Sequence, residues 1–112
     1  MIQARFYKKD DGSIHMTLKG HARAAPKGED LICASATTLA YTVAQAVQFF
    51  HEQGDLAKPP KIDIRKGSAT VIATPKADSY AQVLHAFWVV QCGIHLLAHN
   101  YPSHVELEHL RV

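Results

Sequence analysis

Residues Ile2-Gln3-Ala4-Arg5-Phe6-Tyr7 alternate loosely between apolar and polar positions. That is the period of a half-buried strand and predicts a first strand over residues 2–8. Lys9-Asp10-Asp11-Gly12 supplies turn chemistry, Asp-Gly being a favoured hairpin pair. The alternation resumes over Ile14-His15-Met16-Thr17-Leu18-Lys19 as the returning strand. Residues 20–30 contain Gly20, Pro26, Gly28 and three alanines without a sustained apolar period, and read as a loop with a short turn at Ala22–Ala25. From Leu31 the spacing becomes helical. Leu39, Val43, Val47 and Phe50 fall on one face, and Ala36, Ala40 and Ala44 permit close packing against a neighbour. Asp30 is placed to cap this helix and Gly54 to end it.

Residues 54–61 are a linker inside the domain. Ile62–Lys66 and Ser68–Thr74 read as two short strands joined around Lys66-Gly67 and closed by Pro75. Asp78 or Ser79 caps a second helix, with Tyr80, Val83, Leu84, Phe87, Trp88, Val90, Ile94 and Leu97 as its bulk. Asn100 and Pro102 break it. His104–Leu110 alternates once more as a short final strand. The order β-β-α-β-β-α-β predicts an α+β fold, a two-layer domain with two helices packed on a mainly antiparallel sheet. Residues 1–112 suffice for a single domain with a real core and are too few for two.

Charge narrows the function classes. Lys and Arg total 12 against 10 Asp and Glu, for a formal charge of +2, and the basic residues are dispersed. This gives no basic stripe and no direct nucleic-acid requirement. No run reaches 18 uninterrupted apolar residues and no secretory leader is read, so no membrane span and a reducing, cytoplasmic setting are expected. Cys92, set among bulky apolar residues, reads as structural. Eight histidines raise the question of a metal. His95 and His99 share a helical face, yet Leu96, Leu97 and Ala98 between them lack the acidic residue of a zinc-protease pattern, and no CxxC or HExxH occurs. The expectation is no metal and no cofactor, with the histidines at the surface or in caps.

One segment carries chemistry: Gly20-His-Ala-Arg-Ala-Ala-Pro-Lys-Gly-Glu-Asp-Leu-Ile-Cys33-Ala34. A thiol is mostly protonated at neutral pH and needs activation before it can attack. With Asp30 as cap, Cys33 would sit at a helix start, where free amides and the dipole favour a thiolate and could face an oxyanion. His21 could take the thiol proton and return it to a leaving amine. Gly20 and Gly28 give the intervening segment backbone freedom. The same residues are also compatible with a core thiol and a turn-capping histidine, and Asp30 with a cap or a third catalytic member.

The segment resembles the ribosomal-processing cysteine protease family, through Gly20, His21, Ala22, Gly28, Asp30, Ile32, Cys33 and Ala34. The likeness extends over the opening hairpin, both helices and the Tyr101-Pro-Ser-His-Val-Glu-Leu-Glu108 ending. It implies a cysteine endopeptidase with His21 and Cys33 as the catalytic pair. Gly20, Ala22, Gly28, Asp30, Ala34 and Ser35 would then bind substrate or position the loop. The implied substrate is an N-terminally extended large-subunit ribosomal protein whose mature end approaches the peptidyl-transferase centre. The resemblance also implies a homodimer, with loop 22–29 engaging the substrate. Ser35-Ala36-Thr37 departs from the Ala-Val-Ser common in the family while keeping small and hydroxyl-bearing side chains. The competing reading is a non-catalytic ribosome-assembly or ribosomal-protein-binding module, indifferent to the thiol.

Overall fold

Strand β1 (Ile2–Lys8) directs Ile2, Ala4 and Phe6 to one side, and β2 (Ile14–Lys19) answers with Ile14, Met16 and Leu18, all buried. The antiparallel register sets Ala4 opposite Leu18 and Phe6 opposite Met16, so the apolar positions of both strands share a face. In the computed structural model the backbone is described for residues 1–20 and 26–111, and side chains for 1–20 and 31–111. β3 (Lys61–Arg65) and β4 (Ser68–Ala73) form the second hairpin, and β5 (Val105–Glu108) pairs parallel to β1. The sheet order is β3-β4-β2-β1-β5, antiparallel apart from the β1–β5 pair. The predicted element order and the two-layer α+β architecture therefore hold.

Helix α1 runs from Pro26 to Glu52, five residues earlier than its apolar period indicates. Asp30 is thus inside the helix rather than at its N-cap, and Gly28 belongs to the helix rather than to a loop. Pro26 explains the shift. Proline at the first helical position gives up an amide that has no partner there, and its fixed φ suits the helix. Among the described side chains of α1, Leu31 is 70% exposed and Ile32 is the first that is buried. The other end follows expectation. Gly54, at φ 83°, closes a Schellman motif in which Asp55 N–H donates to Phe50 C=O at 2.9 Å.

A single 3₁₀ turn, Ala77–Ser79, leads into α2 (Tyr80–Asn100). Ser79 occupies the N-cap position, but its hydroxyl donates to Asp55 Oδ1 at 3.0 Å, tying the start of α2 to the end of α1. Val83, Leu84, Phe87, Val90 and Ile94 of α2 enter the core, where Val43 and Val47 of α1 also lie. The helices meet closely: a Cβ at Gly93 would stand 2.7 Å from Leu39 Cδ2. Trp88 and Cys92 lie on the outward face, Trp88 43% exposed, so the expectation of a core cysteine fails. Neighbours in a helix are about 100° apart, and one that is apolar all round gives no moment to separate Phe87 from Trp88. By length and composition alone Ala77–Asn100 could cross a membrane. In this fold it is a core helix, with buried Gln91 bonded to the backbone of Leu110.

The sheet face away from the helices is mainly polar, with Ile72 opposite His15, and it buries one titratable group. His15 is 5% exposed beneath Tyr7, whose ring stacks on it at 4.6 Å. Ser13 Oγ lies 2.7 Å from His15 Nε2 and 2.5 Å from Asp11 Oδ1. The serine's one hydrogen goes to the carboxylate, so the histidine nitrogen donates to the serine. Burial, then the nearby Lys9, pushes the His15 pKa below its ordinary 6.5, against the opposing pull of Asp11. The unfolded chain therefore binds this proton at higher pH than the folded one. Stability is whole above the unfolded value and falls as pH drops through it toward the folded value. Urea unfolding at about pH 7.5 and 5.5 should show wild type losing more stability than His15→Gln. Equal losses would remove His15 as the cause.

Candidate functional site

Helix α1 lies over the β3–β4 side of the sheet and leaves an open cleft of about 500 Å³ along its flank. Cys33, Ala36, Thr37, Ala40 and Tyr41 form the helical wall. Their spacing is that of one helical face, so a groove lined by α1 receives all of them together. Ile2, Leu18, Ile64 and Ala69 give the sheet side an apolar floor, and the β3–β4 turn, Arg65-Lys66-Gly67-Ser68, closes one end. Cys33 is half-buried and packs against the core while reaching this space.

Gly20 sits at the end of β2 on the same cleft, and the fold requires a glycine there. Its φ is 95°, and a Cβ would stand 2.3 Å from the Met1 carbonyl oxygen. Its amide donates to Gly67 C=O at 3.0 Å, fastening the β2 end to the β3–β4 turn. Gly20 and Cys33 are thereby brought to one cavity. His21 and Ala22 lie outside the described residues. Gly28 and Asp30 are placed by their backbone in α1, and the Asp30 side chain lies outside the described set. Ala34 and Ser35 are exposed and form no part of the cleft wall; the Ser35 hydroxyl donates to Leu31 C=O at 2.8 Å.

The long α1 alters the electrostatics expected at Cys33. Only the first four amides of a helix lack a partner within it. With the helix beginning at Pro26, Cys33 is about two turns in and its amide belongs to the i→i−4 ladder. First-turn donors are therefore not at the sulfur in this conformation. Thr37, one turn further along, presents its side chain to the cleft. The neighbouring hydroxyls of Thr38 and Thr42 turn back to the carbonyls of Ala34 and Thr38, at 2.9 and 2.7 Å.

The cleft's basic end was not legible as such from sequence. Arg65 grips Asp63 with two hydrogen bonds, Nε to Oδ1 at 2.8 Å and Nη2 to Oδ2 at 2.7 Å. Those bonds, aided by charge, hold the Asp63 carboxyl below its ordinary range. Arg65 is thus compensated, and Lys66 contributes the positive charge beside it. The Lys66-Gly67 turn was recognisable in sequence; that it faces Cys33 follows only from the strand order. Tyr41, 56% exposed, joins the wall because it lies two turns beyond Cys33 on the same face. The arrangement offers a thiol beside a groove with an apolar floor, open to an extended chain. Among the described residues, no group of three metal-ligating side chains forms a site there or elsewhere.

Known proteins share this fold. The structure of SMU.848 from Streptococcus mutans superposes with a TM-score of 0.67 at 27% identity, covering 96% of this chain and 92% of that one. The ribosomal processing protease Prp of S. aureus, in complex with a covalently linked product peptide, shares the fold with a TM-score of 0.68 at 16% identity, over 96% and 98% of the two chains. The same protease with a substrate peptide gives a TM-score of 0.67 at 16% identity and equal coverage. A search of curated proteins finds no match. The sequence model of the family described as cysteine protease Prp matches residues 1–106. With that match spanning nearly the whole chain, the protein belongs to the Prp family of cysteine proteases.

Proposed function

We propose that this chain is an endopeptidase that removes the N-terminal extension of a bacterial large-subunit ribosomal protein. It works in the cytoplasm as a homodimer, with Cys33 as nucleophile and His21 as general acid and base. The observation that carries the reading is the placement of Cys33 in the wall of the cleft that Gly20, the residue before His21, also lines. The S. aureus relatives, described as a ribosomal processing protease with substrate and product peptides, supply the substrate class.

Cys33 gives its proton to His21, and the sulfur attacks the scissile carbonyl carbon to form a C–S bond. As the tetrahedral intermediate collapses, the C–N bond breaks and His21 returns the proton to the departing amine. His21 then takes a proton from water, the resulting hydroxide attacks the thioester, and the C–S bond breaks to release the new carboxyl end as His21 returns that proton to the Cys33 sulfur. The apolar floor of Ile2, Leu18 and Ile64 receives an apolar side chain of the extension, while Lys66 and the Arg65–Asp63 pair stand at the cleft's polar end. This division suits an extended peptide whose residues alternate between the floor and solvent.

Intact-mass spectrometry of the organism's own ribosomal precursor, incubated with wild type and with Cys33→Ala, tests the reading. A single N-terminal truncation produced by wild type alone is the expected result, and its mass locates the bond. An unchanged mass, with enzyme and precursor shown to be folded and associated, would overturn processing and leave a binding module in its place.

A further inference from the structure

We propose that the substrate peptide docks as a sixth strand on the outer edge of β3, held by the main-chain groups of Ile62 and Ile64. The inference deepens the peptidase reading and rests on it for the identity of the ligand. β3 ends the five-stranded sheet and pairs with β4 alone. Which of its amides face outward follows from the register. Gly67 C=O accepts from Gly20 N–H, so the main-chain groups of Gly67, and with them those of Ala69 and Val71, turn toward β2. Those of Ser68, Thr70 and Ile72 turn the other way and bond Arg65, Asp63 and Lys61. Ile62 and Ile64, the residues left between, therefore direct N–H and C=O away from β4. Among the described residues no other segment bonds to them there. Two donors and two acceptors stand in a row, on residues about 7 Å apart as alternate strand positions are.

The side chains make this edge receptive. Ile62 and Ile64 stand opposite Val71 and Ala69, which are buried, and so share the face toward α1. Ile62 is nevertheless 39% exposed, because the helix leaves the edge uncovered. Charges pointing inward are one device by which proteins keep an edge from recruiting another strand, and β3 has isoleucines there instead.

The edge is continuous with the candidate site. Ile64 lines the same cleft as Cys33, and Tyr41, 56% exposed, lines it from α1. Among the described residues none from β5, the opposite edge, lines that cleft. A strand laid along β3 runs between this edge and α1 and continues into the space beside Cys33. Its main chain supplies affinity for an extended segment of almost any sequence, and the isoleucines favour an apolar side chain at alternate positions.

Fluorescence anisotropy of a labelled synthetic peptide spanning the N-terminal extension of the organism's ribosomal precursor tests the docking. The full chain carrying Cys33→Ala reads binding without turnover. Peptides N-methylated at one residue at a time should fall into two alternating sets. A methyl on an amide facing β3 removes a donor and blocks the strand contact, weakening binding at least about tenfold, while methyls on the intervening amides change it less than about threefold. On the protein side, Ile62→Pro removes one outward donor at an edge where proline is tolerated and should weaken binding about tenfold. Ile62→Val keeps that amide and should bind as the parent does. No binding, a scan without alternation, or a folded Ile62→Pro chain that binds like its parent would each overturn the docking. The scan decides alone if Ile62→Pro fails to fold. Cleavage of the unmodified peptide by wild type keeps the two readings apart. Alternating binding without cleavage retains the docked strand and removes the peptidase, whereas cleavage with a flat scan does the reverse.

Discussion

Cys33→Ala and His21→Ala should each lower kcat/KM for the ribosomal precursor by at least about 10³-fold, and the double variant should be no worse than the more damaged single one. The reasoning rests on the two groups acting as one unit. Without the sulfur there is no C–S bond for the histidine to assist. Without the histidine, the thiol loses its proton acceptor and the departing amine loses its donor. Independent contributions would instead multiply, so the double variant distinguishes a catalytic pair from two unrelated residues. The fold should be little affected, because Cys33 lines an open cleft and its side chain can be shortened without opening a sealed cavity. Single-turnover cleavage followed by mass spectrometry, beside urea unfolding of each variant, gives both readouts. Cleavage retained within tenfold of wild type in either folded single variant would sink the pairing.

The legible parts of this fold were those where local period and turn chemistry agree. Asp11-Gly12 between two alternating runs gave the first hairpin, and Gly54 gave the end of α1 through its positive φ. The start of α1 was illegible for an identifiable reason. Apolar periodicity records contact with the core, and a helix can extend beyond its core. Pro26 and Gly28 also resemble loop punctuation, although proline is welcome in a first turn and one glycine is tolerated. That misreading carried into the chemistry, since it placed Cys33 among free amides. At the candidate site, the motif made Gly20 and Cys33 candidates. Tyr41 follows from the helical period of α1, but Arg65 and Lys66 depend on β4 pairing with β2, a contact across some fifty residues that no local pattern encodes. The outward Trp88 and Cys92 were hidden by the opposite problem, a helix with apolar residues on both faces.

Gly20→Ala should be strongly destabilising for a single added methyl, because two independent penalties coincide. At φ 95° an L side chain costs about 1–2 kcal/mol relative to glycine. The added Cβ also meets the Met1 carbonyl oxygen at 2.3 Å, a backbone atom that cannot swing aside as a flexible side chain would. Relief requires moving Met1, but Ile2 N–H is bonded to His104 C=O at 2.8 Å at the start of the β1–β5 pairing. It could instead come from moving Gly20, whose own amide is held by Gly67 C=O. Overpacking of this kind adds about 1–3 kcal/mol, for a total of roughly 2–5 kcal/mol out of a domain stability on the order of 5–15. The urea midpoint should fall by about 1–2 M with an unchanged slope. Since Gly20 lines the cleft and fastens β2 to the turn opposite Cys33, kcat/KM should also fall at temperatures where the variant remains folded. A urea midpoint within about 0.3 M of wild type would show that the β2 end yields freely and that no glycine is required there.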